Sequence, residues 1–160
     1  MDDILTGKEA LELAIKAEEK GAALYKTLAK NSKNFHVSRV FKQLADEEDK
    51  HIDELKKWDT SLTAYKPVEA YPGEYVLYIK AMAEESTFKC DRACEKSIET
   101  DISEEDAIKT GINFEKDFII FLHNIKKHIK MGDEKIVNSV IESEECHLKK
   151  LYTLQKKIKG

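Results

Sequence analysis

Helix breakers are scarce: the 160-residue chain has six glycines and two prolines. That excludes a collagen-like or linker-like polymer, which needs far more of both. No long apolar run occurs, so nothing approaches the roughly eighteen residues of a membrane span. Neither sign of charge dominates: 27 Lys and Arg stand against 31 Asp and Glu, a net charge of −4. A nucleic-acid binder would show a basic excess or patch, and none is evident. The three cysteines, Cys90, Cys94 and Cys146, are an odd number in a chain long enough to bury a core without disulfides. Cys90 and Cys94 lie four apart, unlike the two-residue spacing of zinc ribbons, and read as ordinary thiols. Residues 1–8 lack a basic segment followed by an apolar one, which predicts no secretory leader and a cytoplasmic setting.

What is abundant is charge and helix-forming residues. Charged side chains make up 36% and hydrophobic ones 41%, a mixture that predicts an all-α protein. Thr6-Gly7-Lys8-Glu9 is a capping box, predicting a helix to about Lys30. A polar turn, Asn31 to Asn34, separates it from a second helix over about His36 to Asp59. Both prolines fall between Tyr65 and Gly73, a non-helical stretch. A helical pattern resumes at Glu74 (Tyr75, Tyr78, Ile79, Met82) and continues more weakly to about Glu99. Ser103 caps a helix running to about Lys130, Met131-Gly132-Asp133 forms a turn, and a last helix runs to about Lys159. The expectation is one domain over residues 1–160, an antiparallel four-helix bundle. A long, helix-containing crossover between helices 2 and 3 permits a parallel middle pair. An up-and-down bundle with an extra outer helix is the alternative.

Each long helix carries an apolar stripe, and each stripe is interrupted. Positions seven apart share a helix face. The lines read Leu11, Glu18, Tyr25 in the first helix and Ile108, Glu115, Leu122, Ile129 in the third. In the second, Phe41, Glu48, Leu55 run beside Leu44, His51, Trp58. In the fourth, Val137, Glu144, Leu151, Ile158 run beside Val140, His147, Leu154. Six ionisable residues thus occupy places that the pattern reserves for leucine. A buried carboxylate is costly unless paired or bound to a metal. No Lys or Arg lies on these lines. Two divalent cations would balance four carboxylates, with two neutral imidazoles completing the donor set.

The spacing agrees. Glu48-x-x-His51 and Glu144-x-x-His147 each place a carboxylate and an imidazole one turn apart. Glu18 precedes the first motif by 30 residues and Glu115 the second by 29. With 20 glutamates in 160 residues and five histidines, chance alone supplies about 0.6 such pairs. Chance does not supply two pairs on core lines, each with a core-line glutamate at matching separation. His36, His123 and His128 lack the motif. Imidazole and carboxylate donors suit iron, and also manganese.

At these residues the chain resembles the rubrerythrin-like branch of the ferritin-like superfamily. The resemblance lies in Ala14-Ile15-Lys16-Ala17-Glu18-Glu19-Lys20-Gly21, in Leu44-Ala45-Asp46-Glu47-Glu48-Asp49-Lys50-His51, in Phe114-Glu115-Lys116-Asp117, and in Ile141-Glu142-Ser143-Glu144-Glu145-Cys146-His147. It implies a ferritin-like bundle holding two iron ions, with Glu18 and Glu115 as terminal ligands, Glu48 and Glu144 bridging, and His51 and His147 completing one ion each. It further implies an oxidoreductase reducing hydrogen peroxide or dioxygen, and a homodimer. The alternatives are an iron-handling ferroxidase and a bundle with structural metal and an interaction role. Two departures stand out. The Cys-x-x-Cys pairs of a rubredoxin domain are absent, so electrons must come from an external donor such as a rubredoxin. Phe118 stands where rubrerythrins usually carry a second glutamate that exchanges with a histidine, which implies permanent histidine ligands, closer in type to bacterioferritin. Gly21 and Gly111, one turn from Glu18 and Glu115, allow either close helix approach or a small channel. Tyr25, two turns from Glu18, is either a donor to the site or a core tyrosine with its hydroxyl at the surface.

Overall fold

The structure, a computed structural model, describes residues 7–58, 74, 77, 78, 81, 102–126 and 134–160. Among these there are four long helices and no strand: α1 (Gly7–Asn31), α2 (Phe35–Trp58), α3 (Glu104–Lys126) and α4 (Glu134–Lys159). The expected prolines, Cys90, Cys94, the Met131-Gly132-Asp133 turn and most of the crossover helix lie outside the described residues. So do Thr6 and the side chains of Trp58 and Ile129. No helix among the described residues is long and apolar enough to cross a membrane.

Local chemistry explains the visible ends. The Asn34 side-chain oxygen accepts from the backbone N–H of His36 and Val37, at 2.9 and 3.3 Å, and starts α2. Ser103 Oγ accepts from the Asp106 N–H at 3.1 Å, while Ser103 donates back to the Asp106 carboxylate at 2.7 Å. This is the N-cap expected there.

The same contacts set the topology. α1 packs on α2 and α3, and α4 on α2 and α3. The Glu104 carboxylate, at the start of α3, accepts from the backbone N–H of Lys33 and Asn34 at 2.8 and 2.9 Å. The beginning of α3 therefore sits at the beginning of α2, and the two run parallel across the bundle diagonal. Every neighbouring pair is antiparallel. This is the bundle with a long crossover, not the up-and-down alternative.

Two apolar clusters fill the interior. One joins Leu11, Ala14, Leu55, Phe118, Phe121, Leu122 and Val140. The other joins Tyr25, Leu28, Phe41, Leu44, Ile108 and Leu151. Along each helix, the two clusters are separated by the interrupting ionisable residues. Among the described residues, the buried polar side chains are Glu18, Glu48, His51, Glu115, Glu144 and His147, none more than 5% exposed. They form one polar layer between two dry halves.

Gly21 decides how closely α1 and α3 approach beside this layer. A Cβ there would lie 2.8 Å from Phe114 Cε1 and 3.5 Å from Glu48 Cδ. Phe114 is buried, with its ring edge-on to Tyr25, so it has little room to retreat. Of the two roles open to Gly21 in the sequence, this is close packing. Overpacking costs about 1–3 kcal/mol, against at most about 1 kcal/mol of helix propensity gained. Gly21→Ala is therefore expected to lower the melting temperature by a few degrees. An unchanged or raised value in thermal unfolding would show that Phe114 yields freely.

Candidate metal centre

Each bundle helix contributes to the polar layer at a point dictated by its stripe. α1 supplies Glu18 and α3 supplies Glu115. α2 supplies Glu48 and His51 from successive turns, and α4 supplies Glu144 and His147 likewise. All six side chains named from the sequence meet at one place.

Their donor atoms fall into two groups. Glu18, Glu48, His51 and Glu144 each offer an atom within 4.8 Å of the others, and so do Glu48, Glu115, Glu144 and His147. Glu48 and Glu144 belong to both groups. Each end is completed by a glutamate and a histidine from a single hairpin: Glu18 with His51, and Glu115 with His147. His51 Nδ1 lies 2.8 Å from Glu144 Oε1, 3.3 Å from Glu48 Oε2 and 3.5 Å from Glu18 Oε1. His147 Nδ1 lies 2.7 Å from Glu144 Oε2, 3.5 Å from Glu48 Oε1 and 3.6 Å from Glu115 Oε1. The two imidazoles stack with centroids 5.3 Å apart. The arrangement is nearly two-fold symmetric, as the repeated motif implies.

Hydrogen bonding leaves this layer short of partners. Six of its eight carboxylate oxygens have none: both of Glu18, both of Glu144, Glu48 Oε1 and Glu115 Oε2. Native interiors satisfy nearly all such groups, and each exception calls for an explanation. Glu115 Oε1 is one of the satisfied oxygens: it accepts from the Tyr25 hydroxyl. Tyr25 is fully buried, so of its two possible roles it is the donor to the site. Burial first, then the Glu115 charge, pushes its phenol well above the ordinary value, so it keeps its proton.

Burial and crowded carboxylates favour protons in this layer. Burial, reinforced by the charge of Glu144, drives the Glu18 and Glu115 carboxyls well above the usual 4.5. Burial opposes charge on His51, but the facing carboxylates of Glu144, Glu18 and Glu48 outweigh it and raise the imidazole to about 12. His147 is raised in the same way, against burial, by Glu115, Glu144 and Glu48. Glu48 goes the other way. Burial pushes its carboxyl up, yet His147 and His51 hold it at about 2. A site that attracts so many protons has the field to attract a cation.

Three surrounding residues were not evident from the stripes. His147 Nε2 lies at ion-pair distance, 2.8 Å, from Glu47 Oε2, without hydrogen-bond alignment. Lys150 Nζ donates to both Glu47 oxygens at 2.6 and 2.7 Å. Burial opposes but Lys150 and Gln43 prevail, holding the Glu47 carboxyl below its usual range. His51 Nε2 meets Ser143 Oγ at 2.8 Å. Glu47 and Ser143 each directly precede a shared glutamate, and that adjacency was the available signal. Phe118 is fully buried in an apolar half. Cys146 is exposed and forms no disulfide among the described residues.

Comparison with known proteins agrees with this geometry. The family model described as rubrerythrin matches residues 9–155. Among solved structures, the chain is similar to a ferritin-like diiron-carboxylate protein from Thermotoga maritima. The two are 22% identical, with 96% of each chain covered and a TM-score of 0.71. No curated protein matches.

Proposed function

The chain belongs to the rubrerythrin family, and we propose that within it this dimetal-carboxylate protein is a di-iron oxidoreductase reducing hydrogen peroxide or dioxygen with electrons from an external donor. The observation that carries the reading is the pair of donor groups sharing Glu48 and Glu144. Six orphaned carboxylate oxygens and two inward-facing imidazole nitrogens fit two cations. Glu18, His51, Glu48 and Glu144 would hold one ion and Glu115, His147, Glu48 and Glu144 the other, Glu48 and Glu144 being common to both groups. Two ferrous ions there would supply two electrons, matching peroxide reduction: H2O2 + 2 H⁺ + 2 e⁻ → 2 H2O.

The chain's own part is positional. The apolar halves exclude water on either side of the layer. Tyr25 keeps its proton and holds Glu115 by donating to Oε1. The histidines turn Nδ1 inward, while outside the layer His51 Nε2 meets the Ser143 hydroxyl and His147 Nε2 lies at ion-pair distance from Glu47.

Anaerobic loading with Fe(II), followed by titration with peroxide, tests the reading. The expected result is consumption of about one peroxide per pair of ferrous ions, as a two-metal site implies. Turnover should follow when a rubredoxin-type donor is added. Iron uptake well beyond two ions per chain, without peroxide turnover, would move the assignment to iron handling.

A further inference from the structure

The two ends of the cluster share a plan but not their backing. Behind His147 stands a carboxylate: Glu47 Oε2, 2.8 Å from Nε2, itself held by Lys150 and by Gln43 Nε2 at 2.9 Å. Behind His51 stands a neutral hydroxyl, Ser143 Oγ, also at 2.8 Å from Nε2. Glu47 precedes Glu48 on α2 yet backs the histidine of α4. Ser143 precedes Glu144 on α4 yet backs the histidine of α2. The two-fold plan thus places residues 47 and 143 in equivalent positions and fills them with different chemistry.

The difference has a direct consequence for a ligand. An imidazole that binds a cation through Nδ1 becomes more positive at its Nε2–H edge. A carboxylate against that edge stabilises the bound form and makes the ring a stronger donor. A hydroxyl offers a dipole and no charge. Both Glu47 and Ser143 are half-buried, so solvent screens the contrast only in part.

We infer that Glu47 is a positioning residue that makes the two metal positions unequal, the Glu115–His147 position binding a divalent ion more tightly and filling first. This rests on the dimetal reading above.

The test is calorimetric titration of the metal-free full chain with Co(II). The parent is expected to show two steps separated by about ten- to hundredfold in affinity, the usual scale for such outer partners. Glu47→Gln keeps the shape and an acceptor oxygen but removes the charge. It is expected to weaken the tighter step by about tenfold or more and leave the weaker step in place. Ser143→Asp supplies the missing charge and is expected to strengthen the weaker step. A purely structural role for the Glu47–Lys150 pair would weaken both steps together, so that result overturns the inference. Equal steps in the parent also overturn it, while two ions still bind. Fewer than two ions bound by the parent would remove the dimetal reading and the inference together. Should Glu47→Gln fail to fold, Ser143→Asp decides, and an unstrengthened weaker step overturns the inference.

Discussion

Replacing Glu48 and Glu144 together by alanine is expected to take metal content from about two ions per chain to about none. Both residues belong to both donor groups, so each empty group would keep only one glutamate and one histidine. Two neutral or singly charged donors do not hold a divalent ion against water. Glu18→Ala and Glu115→Ala each remove a donor from one group only, and each is expected to leave about one ion bound. Metal analysis after Fe(II) or Mn(II) loading measures both. The double variant should stay helical, because it removes two costly buried carboxylates, although it leaves small cavities. Glu48→Gln, Glu144→Gln retains the volume and serves where the alanine pair packs poorly. Two ions retained by either double variant would break the ligand assignment.

Loading the chain with metal is expected to raise its melting temperature steeply, and by more at higher pH. At an ion concentration a thousandfold above Kd, one site adds about 4 kcal/mol. Two sites in a chain of this size correspond to a rise on the order of 20 °C. The pH dependence follows from the shifted groups. His51, raised from 6.5 to about 12, stabilises the metal-free fold fully below about pH 6.5 and progressively less as pH climbs toward 12. His147 is raised too, with the same sign. Glu18 and Glu115, raised above 4.5, also make the folded state bind more protons than the unfolded chain, so stability again falls as pH rises. Glu48, lowered to about 2, has the opposite sign: its contribution is present above 4.5 and lost as pH falls through about 2. Between pH 5 and 9 the metal-free protein should therefore melt at progressively lower temperature. Metal binding releases the same protons and gains affinity across that range. Scanning calorimetry with and without Mn(II) at several pH values checks this. A melting temperature of the metal-free form that does not fall with pH would contradict the proton-holding layer.

Much of this site is legible without a fold. The stripes of Leu11, Phe41, Ile108 and Val137 predict their own burial, and all four are buried. A stripe also predicts that whatever interrupts it is buried, and that is how Glu18, Glu48, His51, Glu115, Glu144 and His147 could be named. Helix periodicity is a local property, set by 3.6 residues per turn and indifferent to which helix lies opposite. Capping at Asn34 and Ser103 is local in the same sense, because it satisfies backbone groups within one turn.

The relations between helices are not local. Residue 47 sits at the edge of the α2 stripe, and periodicity alone does not say that its neighbour is the α4 histidine. Whether Gly21 opens a channel or a close contact depends on Phe114 of α3, which lies against it. Whether Tyr25 points outward or inward depends on Glu115, also of α3, which accepts from its hydroxyl. By itself, then, the sequence determined the four helices and the six ionisable residues that they bury between them, since both follow from spacing along one chain. Only the tertiary structure decided that Glu48 and Glu144 lie in both donor groups, and that a charge backs one histidine and a hydroxyl the other. Those outcomes depend on how helices ninety or more residues apart are rotated against each other, which packing of the whole core sets.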